Sequence, residues 1–265
     1  MTRSNSLPQN SRFKAAFLPA LAVTILAAWG GPAPARAAGP PQGELQNCIA
    51  LAETAPDAAL ERARAWEGRD GGDRARLCQA MALFHKGDFA EAGKRLEALA
   101  PVLGQGDGRA TASLLGQAGW AWLRAGDAGR AEAIYTQALE HTPGDVDLLI
   151  DRAFARAEAE RFWDALTDLD DAIGRDAGRA DAYLYRAAAH KALSNLPMAL
   201  DDVNRALELR PGDGEALVLR GAIKAAAGKP DAAKADWDLV VSREPDSSAA
   251  RTARTNLMRL NTAEK

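Results

Sequence analysis

The chain has 265 residues, of which 47% are hydrophobic and 26% are charged, and its formal net charge at pH 7 is −3. Its 33 basic residues are outnumbered by 36 acidic ones, whereas a protein that binds nucleic acid through phosphate contacts needs a basic face. The composition therefore argues against nucleic acid as a partner. Because no segment of the sequence alternates apolar and polar residues, an all-α fold is expected.

The first 37 residues have the pattern of a secretory signal peptide. A basic start without acidic residues precedes an apolar run over 15–29, and Ala35–Ala37 has the A-x-A form of a cleavage site. We expect cleavage before Ala38 and a periplasmic or secreted mature protein that is not inserted in the membrane. Two alternatives are disfavoured. The apolar run is shorter than the ~20 residues of a transmembrane helix, and it lacks the Arg-rich amphipathic pattern of an organelle transit peptide.

Removal of this leader would make the protein more acidic. The leader contains four of the basic residues and none of the acidic ones, so the chain from Ala38 onward has 29 basic and 36 acidic residues, a net charge of −7. Such a chain has no polybasic segment to attract anionic lipid.

From residue 112 the sequence repeats every 34 residues, in the blocks 112–145, 146–179, 180–213 and 214–247. When each block is numbered 1 to 34, position 20 is always alanine, position 8 is glycine or alanine, and position 24 is large. Position 8 is Gly119, Ala153, Ala187 and Gly221, and position 24 is Tyr135, Leu169, Val203 and Trp237. A fixed period of this size is typical of a solenoid, whose units bury their apolar faces against their neighbours.

The block 112–145 resembles the repeat of the tetratricopeptide repeat (TPR) family. The residues that carry the resemblance are Leu115, Gly119, Trp122, Ala131, Tyr135, Ala138 and Pro143, at positions 4, 8, 11, 20, 24, 27 and 32. It implies a right-handed superhelical solenoid of antiparallel helix pairs, in which small residues at positions 8 and 20 let paired helices approach closely. The later blocks differ at position 11, where Arg156, His190 and Lys224 replace the aromatic residue, and we expect weaker packing there.

The repeat extends beyond these four blocks. Residues 73–106 are predicted to form a degenerate repeat, followed by a loop insertion over 107–111. Residues 38–72 are predicted to form an amino-terminal capping helical hairpin. Residues 248–265 are predicted to form a carboxy-terminal capping helix, because their alanines and leucines recur on one helical face.

The two cysteines, Cys48 and Cys78, lie in the capping hairpin and in the degenerate repeat. In an oxidising compartment an even number of cysteines predicts a disulfide, and neighbouring first helices of a solenoid lie side by side. The alternative is two buried thiols that never meet, because the sequence does not place their Cα atoms within the ~7 Å that a bridge requires. A zinc site is disfavoured because the spacing and the absence of paired histidines match no zinc motif.

No residue pattern predicts catalysis, a metal site or a cofactor. The three histidines lie at no spacing from a serine, cysteine or carboxylate that indicates a mechanism. The acidic run Asp168–Asp171 lacks the spacing and glycine of a calcium loop. Because Asp201 and Asp202 repeat it in the next block, we interpret this run as a solvated face. We expect a protein that is not an enzyme.

In the TPR family the first helix of each repeat lines a concave groove through positions 2, 5, 6, 9, 12 and 13. Transferred to this sequence, these positions predict a peptide-binding groove with an aromatic and aliphatic floor and acidic groups. The candidates are Trp120, Leu123, Asp147, Ile150, Asp151, Phe154, Leu184 and Tyr185. Aromatic side chains on a rigid scaffold are typical binding anchors, although some of these residues are equally compatible with the core.

Some members of the family clamp the terminal carboxylate of a peptide with lysine and asparagine at these groove positions. Acidic and apolar residues occupy them here, so that ligand is not expected. The sequence predicts an exported TPR adaptor or scaffold that binds a protein or peptide partner in the cell envelope. Two alternatives stay open: a structural solenoid that self-associates, and an enzyme-accessory protein that carries a small ligand.

Overall fold

Residues 42–263, the part of the chain that this computed structural model describes, are helical apart from short turns. The all-α prediction is confirmed over these residues. Of them, 42–209 and 210–263 form two compact units. The predicted leader and its cleavage site lie outside the described residues.

The unit 42–209 consists of helices joined by short turns, each packed against the next along the chain. They are α1 (Gln42–Thr54), α2 (Pro56–Trp66) followed by a π-helical turn (Glu67–Gly71), α3 (Gly72–Lys86), α4 (Phe89–Leu103), α5 (Gly108–Arg124), α6 (Ala128–His141), α7 (Val146–Glu158), α8 (Phe162–Arg175), α9 (Ala180–Ala192) and α10 (Leu196–Leu209). Each 34-residue block in this unit supplies one helix pair.

The unit 210–263 contains α11 (Gly214–Ala226), α12 (Pro230–Arg243) and α13 (Ser248–Ala263). Helix α13 packs against both α11 and α12. It buries Ala249, Ala250 and Ala253 against them. The last helix thereby covers apolar surface of the block 214–247 that would otherwise face solvent.

The two helices of a repeat approach closely at the small residue of position 8, as predicted, and this residue faces position 24 of the same repeat. A Cβ atom on Gly119 would lie 2.7 Å from Cζ of Tyr135, and one on Gly221 would overlap the indole of Trp237. Where position 8 is alanine, in Ala153 and Ala187, position 24 is the smaller Leu169 or Val203. The combined volume of the two positions is thus kept roughly even, as a close-packed core requires.

The aspartates at position 23 are buried, so the prediction of a solvated acidic face is wrong for Asp168 and Asp202. Asp168, Asp202 and Asp236 are only 3%, 5% and 5% exposed. Each accepts two hydrogen bonds from the arginine sixteen residues earlier, at position 7 of the first helix, with distances of 2.9 and 2.7 Å. The donors are Arg152, Arg186 and Arg220. The second helix turns this position toward its partner helix, and bidentate pairing there compensates the charge that burial desolvates.

The basic residues at position 11 lie near the same aspartates. Arg156 Nη1 lies 2.8 Å from Asp168 Oδ2, and Lys224 Nζ lies 2.8 Å from Asp236 Oδ2. His190 Nε2 lies farther away, 3.9 Å from Asp202 Oδ2. The basic residue that replaces the aromatic one at position 11 therefore places a second cation beside the buried carboxylate. The expectation of weaker packing did not include this contact.

Two blocks replace this ion pair by other contacts. In 112–145, positions 7 and 23 are Ala118 and Ile134, both buried in the apolar core, and position 11 is Trp122. In 73–106 the same positions are Gln79 and Arg95, and Arg95 Nη1 donates to Gln79 Oε1 at 2.8 Å. The contact between positions 7 and 23 thus recurs in every block while its chemistry changes.

Residues 107–111 were expected to form a loop, but helix α5 already begins at Gly108. The Asp107 side chain caps it by accepting hydrogen bonds from the amides of Arg109 and Ala110, at 2.9 and 3.2 Å. The Thr111 hydroxyl donates to the Gly104 carbonyl at 3.1 Å. The extra residues therefore lengthen α5, because an aspartate at the cap satisfies the amides of its first turn.

Cys48 of α1 and Cys78 of α3 form the predicted disulfide, with their Cα atoms 6.0 Å apart. Both residues are fully buried, beside Ala63 of α2. The bridge joins the capping hairpin to the degenerate repeat.

We predict that the unfolded, unreduced protein has no titratable thiol and that Cys48→Ala lowers the stability of the α1–α3 region. A bridge across thirty residues of sequence should contribute about 3–4 kcal/mol in the chain-entropy model. Hydrogen exchange should show the loss mainly in α1–α3, because repeat proteins are stabilised by nearest-neighbour contacts. Uniform loss of protection over 42–209 would contradict this local role.

We also predict that Asp202→Ala destabilises the protein by about 3–5 kcal/mol, because it removes the buried carboxylate of the pair and leaves the partly buried Arg186 only the exposed Asp170, at 2.7 Å. The double variant Arg186→Ala, Asp202→Ile should recover most of this loss, since Ala118 and Ile134 fill the same positions in another block. Urea unfolding of the three proteins gives the comparison. A double variant no more stable than Asp202→Ala would show that the repeats are not interchangeable in this way.

Candidate functional site

The predicted groove residues lie on α5, α7 and α9, the first helices of three successive repeats in the unit 42–209. Helix α7 contacts both α5 and α9. The 34-residue period therefore brings equivalent positions of neighbouring helices side by side.

Two of the predicted residues belong to the core. Ile150 and Leu184 are only 4% and 2% exposed, so they offer almost no surface to a partner. Both occupy position 5, which faces the interior here. The other six define what we call the groove surface, in which Asp147 is exposed and the rest are partly buried: Trp120, Leu123, Asp147, Asp151, Phe154 and Tyr185.

Phe154 and Tyr185 form the aromatic centre of the groove surface. Their ring centroids are 5.6 Å apart and their planes are inclined by 53°. Phe154 lies on α7 and Tyr185 on α9, so the contact bridges two repeats. An aromatic pair held by two helices presents contact area at little conformational cost, which suits an anchor for a bound chain.

Asp151 lies on α7 one turn before Phe154. Within residues 42–263 its carboxylate accepts no hydrogen bond and forms no ion pair. Burial, and after it the neighbouring carboxylates of Asp147, Asp181 and Asp145, raise its pKa to about 7, although Arg179 opposes them. An acid in this state is ionised only in part at neutral pH, and a ligand cation would favour its charged form.

Arg179 forms ion pairs with two other acids near Asp151. Its guanidinium contacts Asp147 Oδ1 at 2.5 Å and Asp181 Oδ2 at 2.8 Å. The hydrogen bond to Asp181 and the bond to Asp147 raise the pKa of Arg179, although burial opposes them. The nearest cation is thus already engaged by Asp147 and Asp181.

Tyr135, which was predicted only as a packing residue, adds a polar group. Its side chain is fully buried, and its hydroxyl has no hydrogen-bond partner in the described part of the chain. Burial raises its pKa, and so do the neighbouring Asp151 and Tyr185. The sequence carried a signal for this group, because Tyr135 is the only one of the four position-24 residues with a hydroxyl.

A second aromatic cluster lies at the α3–α4 turn. The rings of Phe84 and Phe89 are 5.3 Å apart, and the Arg124 guanidinium lies 4.4 Å from the Phe89 centroid. Arg124 occupies groove position 13, so its charge is partly engaged by a cation–π contact. This cluster was not predicted, because Phe89 lies outside the family's groove positions.

Over residues 42–263 no group of three or more histidine, cysteine or acidic side chains is arranged to hold a metal ion. None of the helices in this range is both long and apolar enough to span a membrane.

Solved structures of TPR proteins have a similar fold. A TPR protein from Parabacteroides merdae matches with a TM-score of 0.70 and 16% identity, over 84% of this chain and 86% of that one. TTC0263, a TPR protein of Thermus thermophilus, matches at 0.57 and 18%, over 70% and 100%. MamA from Desulfovibrio magneticus matches at 0.57 and 18%, over 66% and 97%.

No protein-family model and no curated protein matches the sequence. At identities of 16–18% the structural similarity shows the fold. The 34-residue pattern of positions 4, 8, 11, 20, 24, 27 and 32 and this helix-pair fold are mutually consistent. By its repeat and its fold, the chain is similar to the tetratricopeptide repeat proteins, and it shares their all-α solenoid of helix pairs.

Proposed function

We propose that this chain is an exported TPR adaptor, without catalytic activity of its own, that binds a protein or peptide partner through its groove surface. The observation that carries the proposal is the juxtaposition of the Phe154–Tyr185 ring pair with the Asp151 carboxylate, which has no partner among the described residues. Apolar anchors beside an uncompensated charge are suited to a segment that combines apolar and basic side chains.

The surroundings of the groove surface support this assignment. The anchors Phe154 and Tyr185 lie on α7 and α9, which are held to α8 and α10 by buried Arg–Asp contacts, so the scaffold is formed before a partner arrives. A preformed surface loses little conformational entropy on binding. The acidic side chains around Asp151 disfavour a peptide carboxylate and favour a cationic group.

The proposed location outside the cytoplasm rests on the leader pattern over 1–37 and is supported by the Cys48–Cys78 bridge. Disulfides persist in oxidising compartments and are rare in the cytosol. Both features suit a periplasmic or secreted protein.

We predict that the double variant Asp151→Lys, Tyr185→Ala binds its partner more than tenfold more weakly than the parent. Loss of an aromatic anchor commonly costs about 2 kcal/mol or more, and about 1.4 kcal/mol corresponds to one decade of affinity. The partner is first captured from envelope extract with the parent chain and identified by mass spectrometry. Its dissociation constant is then measured for each variant, with circular dichroism as the check on helix content.

The matched control is Asp201→Lys, Trp163→Ala. Like the groove variant, it reverses the charge of an aspartate and truncates an aromatic side chain, but on the second helices α8 and α10, where Asp201 is exposed and Trp163 is 71% exposed. The control should bind like the parent. If instead the control loses binding and the groove variant keeps it, the partner docks on the second helices. Loss of self-association in the control would favour the structural alternative.

For export, we predict that the protein recovered from the envelope or culture fluid begins at Ala38. The small residues of Ala35–Ala37 set this cleavage position. Amino-terminal sequencing of the fractionated protein gives the answer directly. A protein that starts at Met1 or Thr2 and is found only in the cytoplasmic fraction would rule out export.

A further inference from the structure

We propose that the groove surface contains a receptor for a lysine ammonium, formed by the Asp151 carboxylate, the Tyr135 hydroxyl and the Phe154–Tyr185 ring pair. This inference rests on the proposed function, because it names the group on the partner that the groove recognises.

The first argument concerns unused hydrogen-bonding capacity. The Tyr135 hydroxyl is buried without a hydrogen-bond partner among the described residues. The neighbouring Asp151 is partly buried, and its carboxylate accepts no hydrogen bond from residues 42–263. Buried polar groups are nearly always paired, and an unpaired one costs free energy. These two groups are adjacent without bonding each other, so a group that donates to both would satisfy them. An ammonium has three donors and no acceptor.

The second argument concerns charge. The carboxylates of Asp147, Asp181 and Asp145, on α7, on α9 and in the turn before α7, act on Asp151, and Arg179 is the cation that opposes them. Arg179 is bound by Asp147 and Asp181. Ionised Asp151 is therefore left with an uncompensated negative charge in a partly buried position, which a ligand cation would compensate.

The third argument selects lysine over arginine. An arginine guanidinium is best matched by paired acceptors in one plane, whereas an ammonium is a compact point charge on a flexible apolar stem. Asp147 and Asp181 could have supplied further acceptor oxygens for a guanidinium, but both form ion pairs with Arg179. Phe154 follows Asp151 by about one turn of α7, and its ring contacts that of Tyr185. These rings can pack against the methylene stem and attract the cation.

The affinity of the receptor for an ammonium group should depend on pH. The pKa of Asp151 is about 7, and the charged and titratable groups that face it are Asp145, Asp147, Asp181, Arg179, Tyr135 and Tyr185. Only ionised Asp151 attracts the ammonium, so affinity should rise between pH 6 and pH 8. Bound ammonium should in turn lower the pKa of Asp151.

The test is a titration of the full chain with N-acetyl-lysine methylamide, followed through the side-chain carboxyl carbon of Asp151 by nuclear magnetic resonance. The matched probes are the norleucine and arginine methylamides, which lack the charge or change its shape. We expect a saturable shift with the lysine probe at pH 8, a lowered Asp151 pKa at saturation, and at least about tenfold weaker binding of the other two probes.

Two variants separate recognition from structure. Asp151→Asn should weaken lysine-probe binding about tenfold or more, and Tyr135→Phe about threefold to tenfold, in proportion to the hydrogen bonds lost. Neither should lower the melting temperature. Because the folded pKa of Asp151 is above its ordinary value of 3.8, its charge destabilises the fold progressively from about pH 4 to pH 7. Asp151→Asn should therefore raise the melting temperature increasingly over that range.

A lysine probe that gives no saturable shift would overturn the inference, leaving a bridging water as the partner of Asp151 and Tyr135. Equal binding of the norleucine probe would identify an apolar site, and equal binding of the arginine probe would refute selectivity for lysine. The proposed function fails differently. In that case the lysine probe binds, but the Asp151→Lys, Tyr185→Ala variant retains its protein partner.

Discussion

The close approach of the two helices in each repeat is the contact on which the rest of this structure depends. It requires a small residue at position 8 and a partner of matching size at position 24: Gly119 against Tyr135, Gly221 against Trp237, and alanine against leucine or valine elsewhere. With this contact made, alanines at position 20 are fully buried in every block from 112 onward. The high alanine content of the chain is therefore a packing requirement, and close packing leaves little room for substitution.

The contact between positions 7 and 23 lies in the same helix pair and shows how polarity is accommodated there. Three blocks bury an aspartate under a bidentate arginine, one block uses alanine and isoleucine, and the degenerate block uses glutamine and arginine. The position 11 residue changes with them, being basic beside the aspartates and tryptophan in the apolar block. A buried ion pair adds little net stability over apolar residues of similar volume, but it is costly to break. Such pairs constrain how one helix is aligned with the next.

The groove surface differs from the core in how its polar groups are paired. In the core each buried polar group of the Arg–Asp type has a partner, whereas Asp151 and the Tyr135 hydroxyl have none among the described residues. Both lie beside the aromatic pair of α7 and α9. Groups that lower the stability of the free protein are common at binding sites, because their unfavourable state is relieved by the ligand. The proposed site therefore lies on a scaffold whose stability is supplied elsewhere, by the helix-pair contacts and the disulfide.

The sequence by itself determined the period, the helix pairs and the small residues at positions 8 and 20, because these follow from spacing and residue size. It predicted a bridge between Cys48 and Cys78 but left open two thiols that never meet, and the tertiary structure placed their Cα atoms 6.0 Å apart. It also identified Asp151, Phe154 and Tyr185 from the family's groove positions. Only the tertiary structure decided which side chains are buried. It placed Ile150 and Leu184 in the core, turned Asp168, Asp202 and Asp236 inward, and continued α5 through the expected loop. It also brought the Tyr135 hydroxyl next to Asp151. Helical periodicity assigns a residue to a face, but the neighbouring helix decides whether that face is covered, and that neighbour is set by packing between segments that are distant in sequence.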